Sequence, residues 1–558
     1  MRKVITAAEM REVDRLTTER YAVPSLLLME TAANAAARAI AAHTGRTLAG
    51  RRALILCGRG NNGGDGAALA RLLWLAGARV EVVFFGRVAD ASGDARVNFE
   101  LVRQLAGTKP NDGATPASLA WRECATASEW SELVETLGTY DLIIDALFGT
   151  GLTRPLTGLF QQVVLDLTHL RNDDAAATDT RPLIVALDLP SGLDADAGMP
   201  IGDSIAADLT VTFTAPKPAN VLPPASQRNG QLVIADIGSP ATLLAEAGSQ
   251  LFLTEAADAR AWLIKTRYTP DSYKKTHGHA LFVAGSRHMT GAPVLACEAA
   301  LRAGAGLVTV AIPESAHAAV AARVMPEVMT AALAETQQGA VRTEALAEAL
   351  RLTARVDVVA LGPGLTADDE ATRRFVRAYV EQRTTPLVID ADGLNALAPW
   401  PAELRGTSAQ PLILTPHIGE LRRLLGRADG DALADRLEIA RTFAAAQGLI
   451  LVLKGARTII AAPDGRVYIN PTGNAGLGTA GAGDTLTGLI TGCLAQAYGL
   501  WSDKADAFET VTAAVYLGGL AGDLAARAHG MRTLVASDIR AHFGAAVRTL
   551  DAAGEEPR

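Results

Sequence analysis

Short apolar runs alternate along the chain with glycine-rich turns and alanine-rich amphipathic stretches. ALILC (53–57), VEVVFF (80–85), DLIIDALF (141–148), PLIVALDL (182–189) and LTVTF (209–213) form a first series. ALFVAGS (280–286), GLVTVAIP (306–313), VDVVALGPG (356–364), PLVIDADG (386–393), PLILTPH (411–417) and LILVLKG (449–455) form a second. Buried strands separated by helical segments predict a mainly parallel sheet with helices on both faces. Thr6-Ala-Ala-Glu9 has the form of a capping box, opening a helix with Met10, Val13 and Leu16 on one face. Residues 238–262 carry no strand signal and read as a linker with a short helix. Two different α/β domains in tandem follow: 1–240 and 263–548, joined by a linker at 241–262, with a frayed tail at 549–558. The polar, acidic RNDDAAATDTR (171–181) reads as an exposed loop.

At 558 residues the chain is long enough for two large domains. With 52 basic and 60 acidic side chains the net charge is −8, which argues against binding nucleic acid or an anionic membrane. Hydrophobic residues at 49% and charged ones at 20% supply large cores and exclude a disordered chain. The four cysteines (Cys57, Cys124, Cys297, Cys493) contain no C-x-x-C pair, so neither a disulfide framework nor a cysteine zinc site is expected. The charged start MRKVITAAEMREVDR does not resemble a signal peptide. Thr485 to Ser502 is uncharged, but its threonines, glycines and Gln496 make a poor membrane span. A cytoplasmic protein is expected.

CGRGNNGGDG (57–66) joins a predicted strand to a helix, and Gly58, Gly60 and Gly63 satisfy G-x-G-x-x-G. A dinucleotide site is the obvious reading, with Glu81 near the ribose-binding position. Asn61, Asn62 and Asp65 fit it poorly, because a carboxylate in a phosphate-cradling turn repels the anion. A plain tight turn with glycines at positive φ explains the glycines but not the polar trio. Asp145 and Asp188 each end an apolar strand, where open α/β sheets bind ligands, although either could simply cap a turn. They are followed by GTGLTRP (149–155) and PSG (190–192). Oxygen donors from Asn62, Asp145 and Ser191 suit a hard cation rather than zinc or copper.

In the second half, Thr479-Ala480-Gly481-Ala482-Gly483-Asp484 runs straight into a helical segment. Backbone N–H groups at Gly481 to Asp484 could form an anion hole for a phosphoryl group, with Asp484 accepting a proton from an attacking hydroxyl. An ordinary glycine turn with Asp484 as helix N-cap is the plainer alternative. Lys454, Gly455, Ala456, Arg457 and Thr458 follow a strand and could hold nucleotide phosphates. His417 could bond a substrate or be structural, and Asp390 and Asp392 could position Mg²⁺ through water or cap a turn.

NNGGDG, DALFGTGLTRP, DLPSGLD and TFTAPKP, in that order, resemble the N-terminal domain of bacterial bifunctional NAD(P)H-hydrate repair enzymes, over roughly residues 5–240. That domain is a Rossmann-like NAD(P)HX epimerase with a bound potassium ion. The resemblance implies substrate contacts at Asn61, Asn62, Gly63, Gly64 and Asp65, at Gly149, Thr150, Gly151, Leu152, Thr153, Arg154 and Pro155, and at Asp188. It implies potassium at Asn62, Asp145 and Ser191. The family's MENA motif stands here as Met29-Glu30-Thr31-Ala32. GSRHMTGAPVLA (285–296), GPGL, LTPHIGE, VLKG and TAGAGDTLTG resemble the ADP-dependent NAD(P)HX dehydratase, a ribokinase-like fold, over about 275–545. This implies contacts to the hydrated cofactor at Ala292, Gly364, His417 and Asp484. It implies ADP or AMP contacts at Lys454 to Thr458 and Gly483. In Gly473-Asn474-Ala475-Gly476 the alanine replaces the family's usual proline, so a small change in loop rigidity is expected.

The expected function is repair of hydrated nicotinamide cofactors. Asp188 is the candidate acid/base for the expected epimerisation of R- and S-NAD(P)HX. Asp484 is the base in an ADP- and Mg²⁺-dependent dehydration of the S form to NAD(P)H, AMP and phosphate. A homo-oligomer is expected. The rival is a ribokinase-like small-molecule kinase with a regulatory N-terminal domain; a scaffold role for that domain and an NAD-dependent dehydrogenase are further alternatives.

Overall fold

The computed structural model describes residues 1–45, 47–108, 117–173, 181–428 and 435–552. A short strand, β1 (Arg2–Val4), opens the chain. The chain divides into two compact units, Lys3–Ser249 and Gln250–Arg558 with Met1–Arg2.

The first unit carries β2 (Arg52–Cys57), β3 (Arg79–Phe84), β4 (Ser118–Glu123), β5 (Leu142–Ala146), β6 (Leu183–Leu187), β7 (Leu209–Phe213) and β8 (Gln231–Ala235). They form one parallel sheet in the order β4-β3-β2-β5-β6-β7-β8. Alternate residues of β2 face opposite layers. Ala53, Ile55 and Cys57 pack with the helices Ser25–Thr44 and Asn61–Leu75, while Leu54 and Leu56 pack with Trp130 and Val163. This three-layer arrangement is Rossmann-like. Its strand order reverses between β2 and β5, so the loops leaving those two strands open a crevice at the carboxyl edge of the sheet. The Thr6–Glu9 capping box forms as read, with Glu9 N–H donating to Thr6 Oγ1 at 3.2 Å and Thr6 N–H to Glu9 Oε2 at 2.8 Å.

The second unit carries β9 (Leu251–Leu253), β10 (His279–Val283), β11 (Leu307–Pro313), β12 (Val328–Leu333), β13 (Val358–Leu361), β14 (Leu387–Ile389), β15 (Leu412–Leu414), β16 (Ile450–Leu453), β17 (Ile459–Ala461) and β18 (Val467–Ile469). Their order is β9-β18-β17-β16-β15-β14-β13-β10-β11-β12. The strands from β10 to β16 are parallel, and only β17 runs against its neighbours. This is the ribokinase-like α/β half. Because β13 to β16 are parallel, the loops after them, bearing Gly364, Asp390, His417 and Lys454, gather on one edge.

Residues 241–262 depart from the linker reading. Ala241–Glu246 is a helix, and Leu251–Leu253 is a strand paired in parallel with Val467–Ile469. Ala256–Lys265 is a helix that buries Ala259 and Trp262. Three residues are too few to show a periodicity, and so the strand leaves no signature in sequence. The acidic loop reading at 171–181 also shifts: the helix Leu159–Asp173 runs into it, and 174–180 lie outside the described residues. The tail behaves likewise, since the helix Ala536–Ala552 extends into it and 553–558 lie outside the described residues.

The uncharged stretch at 485–502 belongs, up to its last residue, to the helix Ala482–Trp501, whose apolar surface is buried in the second unit's core. Among the described residues no helix is long and apolar enough to cross a membrane. All four cysteines are unpaired and fully buried.

Candidate active sites

In the first unit, β2 ends at Cys57 and the helix Asn61–Leu75 begins four residues later, with Gly60 as N-cap and no side-chain cap. None of Gly58, Gly60, Gly63 or Gly64 has positive φ, so the turn does not need glycine for its backbone angles. It needs the space. A Cβ on Gly58 would lie 1.9 Å from the Leu147 carbonyl oxygen, and one on Gly63 would lie 1.9 Å from that of Gly58. The glycines let the helix start press against the loop that leaves β5. Glu81 is not at a ribose position either. It sits within β3, held by Arg122 at 2.8 Å and by the Tyr140 hydroxyl at 2.7 Å. The dinucleotide fingerprint is therefore a packing device here, and the dehydrogenase reading loses its acid.

Asp145, at the end of β5, is fully buried and accepts the Ser191 N–H at 2.7 Å, the Ser191 hydroxyl at 2.6 Å and the Leu147 N–H at 3.3 Å. Burial pushes its carboxyl up to about 6 against those three bonds. Asn62 is buried too, and both atoms of its side-chain amide lack a hydrogen-bond partner among the described residues. A buried amide without partners is costly. One carboxylate, one hydroxyl and an orphaned amide oxygen form a donor set of hard oxygens that fits a weakly held monovalent cation.

The crevice between these loops is a cavity of about 640 Å³. Asn61, Asn62, Asp65, Gly149, Thr150, Gly151 and Asp188 line it, as do Asp14 and Lys217, which sequence reasoning missed. Gly63 and Gly64 are buried beneath it. Leu152 to Pro155 are not in its wall; Leu152 packs on the core and Pro155 against the Gly202 turn. Met29 and Ala32 reach the cavity, whereas the Thr31 hydroxyl donates to its own helix at Leu27 O, 2.8 Å away. Asp188 holds a φ of 63°, and its Oδ1 receives Lys217 Nζ and, at 3.0 Å, Thr212 Oγ1. Asp65 has no hydrogen-bond or ion-pair partner among the described residues. Burial, with Asp188 and Asp14 nearby, pushes its carboxyl well up despite Lys217. Asp14 is raised to about 6, chiefly by burial.

In the second unit the helix Ala482–Trp501 starts at Gly481, at φ 83°, with no side-chain cap. Asp484 is its third residue, so the N-cap alternative does not hold. The Ala482 N–H donates to Thr479 O at 3.3 Å and the Thr485 N–H to Gly481 O at 2.9 Å, so the N–H groups of Gly483 and Asp484 are the ones the uncapped start offers to an anion. Burial, followed by the charge of Asp390, pushes Asp484 up to about 6, with Lys454 opposing. Asp390 neither caps a turn with its side chain nor meets solvent. It is buried, bonded to Lys454 Nζ at 2.7 Å and to the Thr487 hydroxyl at 2.7 Å. Burial works against its charge, but Lys454 together with the hydroxyls of Thr487 and Thr415 outweighs it, and the carboxyl stays below its ordinary value. Lys454 therefore points inward, also 3.8 Å from Glu420, and its charge acts from beneath the helix start.

His417 does two things at once. Its Nδ1 accepts the N–H groups of Gly419 at 2.9 Å and Glu420 at 3.3 Å, capping the helix Ile418–Leu424. That fixes the proton on Nε2, which lies 3.6 Å from Glu420 Oε1 on a half-exposed side chain and can donate. Gly364, at φ 71°, and Ala292 are neighbours, since a Cβ on Gly364 would sit 3.3 Å from that of Ala292. Gly455 and Ala456 are exposed, beside a half-buried Arg457 at φ 58° and a half-buried Thr458. In the loop where alanine replaces proline, Asn474 and the Gly473 N–H bond to Asp523 at 2.9 and 3.0 Å. Asp392, whose Oδ2 accepts the Thr366 N–H at 3.0 Å, acts on Asp484 by charge. Among the described residues no cluster of three or more His, Cys, Asp or Glu could hold a metal ion.

Comparison with known proteins agrees with this layout. Residues 25–219 match the family model described as YjeF-related protein N-terminus, and residues 280–542 that described as NAD(P)H-hydrate dehydratase. A bifunctional NAD(P)H-hydrate repair enzyme of Moorella thermoacetica is 42% identical over 548 residues, covering 98% of this chain and 97% of its own. One from Escherichia coli is 32% identical over 491 residues, covering 88% of this chain and 84% of its own. An ADP/ATP-dependent NAD(P)H-hydrate dehydratase from Bacillus subtilis, crystallised with ATP/Mg²⁺, is 31% identical with a TM-score of 0.45, covering 54% of this chain and 98% of its own. With a relative so similar over nearly the whole of both lengths, the chain belongs to the family of bifunctional NAD(P)H-hydrate repair enzymes.

Proposed function

We propose that the first unit interconverts the R and S epimers of NADHX and NADPHX and that the second dehydrates the S epimer with ADP, releasing NAD(P)H, AMP and phosphate. The observation that carries the reading is the pair of unlike carboxylate sites at the carboxyl edges of two separate sheets. Asp188 stands over a crevice where polar residues and glycines meet apolar side chains such as Phe148, Phe160 and Phe213, and Asp484 stands over an uncapped helix N-terminus.

At the first site, Asp188 gives a proton to the C6 hydroxyl, which leaves as water while the ring-nitrogen lone pair closes a C=N bond. Water adding from the opposite face returns the proton, and C6 is inverted. Asn62, Asp145 and Ser191 would hold a potassium ion, which supplies positive charge to the buried wall of the site. At the second site, Asp484 accepts the C6 hydroxyl proton as that oxygen attacks the terminal phosphorus of ADP. The hydroxyl becomes a phosphate ester, and the ring nitrogen expels phosphate to restore the dihydronicotinamide. The N–H groups of the helix start stabilise charge on the transferred group, with Lys454 beneath them. His417 Nε2, Gly364 and Ala292 border the hydrated cofactor, and Gly455 to Thr458 with Gly483 border the nucleotide. Mg²⁺ would ride mainly on the nucleotide phosphates, where it neutralises their charge. Four buried, unpaired thiols support a place in the reducing cytoplasm. A homo-oligomer is part of the same reading.

The test is one assay on mixed NADHX epimers. With ADP present, absorbance of NADH should recover from both epimers in the unaltered protein. Asp188→Asn should consume only the S form, and Asp484→Ala should recover none while still interconverting epimers. A stable phosphorylated product without NADH would instead mark a kinase, and joint loss of both activities in a folded variant would refute two independent sites.

A further inference from the structure

The Asp188 carboxylate is held far more tightly than its role as a strand-end residue requires, and the holding is one-sided. Oδ1 receives two donors, Lys217 Nζ and Thr212 Oγ1, the latter at 3.0 Å. Lys217 is only 1% exposed, and its ammonium also donates to Thr212 Oγ1 at 3.0 Å and to the Phe213 carbonyl at 3.2 Å. Oδ2 receives no protein donor among the described residues and faces Gly149, where a Cβ would come within 3.3 Å of it. The backbone is pinned as well. Asp188 keeps a φ of 63°, a region that side-chain-bearing residues avoid, while its N–H donates to Val211 O at 2.8 Å and its carbonyl accepts Asn220 Nδ2 at 3.3 Å. Asn220 Oδ1 in turn accepts the Lys217 N–H at 2.8 Å, so one asparagine ties the aspartate and the lysine together. Strain retained at such a point is a mark of a functional constraint. A buried lysine with a single carboxylate partner is also costly unless that pairing serves a purpose.

We propose that Lys217 is the positioning residue of the epimerase cavity: with Thr212 it occupies Oδ1 of Asp188, which leaves Oδ2, on the Gly149 side, as the oxygen that exchanges the proton with the C6 hydroxyl or the adding water. This rests on the reading of Asp188 as the acid/base. Lys217 takes no proton itself, and no bond to the substrate is required of it. Asp65 and Asp14, which approach from two other helices, act on this pair by charge, and Asp94, Arg11 and Arg59 line the same cavity.

Epimerisation of R-NADHX without nucleotide, followed on the full chain, tests the assignment. Lys217→Met should lower kcat by about 100-fold, the order expected for a misplaced acid/base, with KM changed less than threefold. In an Asp188→Asn background the same change should cost nothing further. Lys217→Ala should regain activity with added ethylammonium, whereas the Asp188→Asn, Lys217→Ala double variant should not. Circular dichroism and the thermal unfolding of the full chain report folding. If Lys217→Met disrupts the first unit, Thr212→Val with a smaller loss of kcat and the ethylammonium rescue decide instead. Full activity of Lys217→Met beside an inactive Asp188→Asn overturns the positioning role alone, and so do losses that multiply in the double variant. Full activity of Asp188→Asn overturns the acid/base reading and this role with it.

Discussion

Gly483 separates what the glycines of the second site do for folding from what they do for a ligand. It is the second residue of the helix Ala482–Trp501. Its φ is not positive, and a Cβ there would meet only Lys454 Nζ at 3.4 Å and Asp390 Oδ2 at 3.8 Å, ordinary contact distances. Alanine favours a helix over glycine by up to about 1 kcal/mol, so Gly483→Ala should fold as well as the parent or slightly better. Two other glycines of the helix behave differently, since a Cβ on Gly488 would lie 2.1 Å from Ala296 O and one on Gly492 2.5 Å from Ala300 O. Those are packing glycines. A methyl group at 483, however, stands where a phosphoryl group must approach the helix N–H groups. A displacement of about 1 Å in such a site costs on the order of 100-fold in rate, or about 2.7 kcal/mol of transition-state stabilisation. NADH recovery from S-NADHX at varied ADP should therefore show kcat/KM for ADP falling about 100-fold in Gly483→Ala, with an unchanged or raised unfolding temperature. Activity within threefold of the parent would refute the close-approach argument. Loss of folding would refute the geometry itself.

Asp484, raised to about 6, must lose its proton to act as base, so dehydration should fall as pH drops below about 6. A carboxyl raised in the folded state stabilises the fold at acid pH and loses that contribution as pH rises from 3.8 to about 6. Asp484→Asn should then unfold later than the parent at pH 7, by up to about 3 kcal/mol, and show no advantage below pH 4. Replacing potassium by a bulky quaternary ammonium should slow epimerisation and lower the unfolding temperature, and Asn62→Ala should remove that dependence; a potassium response that survives in Asn62→Ala contradicts the donor set. Gly63→Ala, with its Cβ 1.9 Å from a backbone oxygen, should destabilise by about 1–3 kcal/mol in chemical denaturation, whether or not ligand is present. His417→Ala should cost about 1 kcal/mol through its lost cap and also raise the KM for S-NADHX, two effects that denaturation and kinetics read separately.

The central strands were legible because burial on both faces makes them continuous apolar runs, as in β2, β5 and β10. Ser118–Glu123 escaped because it is an edge strand carrying Arg122 and Glu123, and Leu251–Leu253 because three residues show no period. Strand-end acids were legible for the same topological reason: Asp145 and Asp188 sit where apolar runs stop. Their partners were not. Asp14 lies on the first helix and Lys217 beyond β7, and nothing local to either residue shows that the fold turns it toward Asp188. Lys454 reads as a phosphate ligand from its glycine-flanked loop, and nothing local to it shows the bond its ammonium makes to Asp390, 64 residues earlier.

All four native thiols are shut away from solvent, and burial holds them protonated: Cys124 is pushed up to about 11, Cys493 up to about 12, and Cys57 and Cys297 also move upward. The thiols of a catalyst that restores spoiled redox carriers are thereby shielded from peroxide and from alkylating reagents, which attack thiolates. The same feature makes the parent chain a clean background for labelling, because a cysteine engineered onto an exposed turn would react with a maleimide dye while its four natural counterparts stay silent.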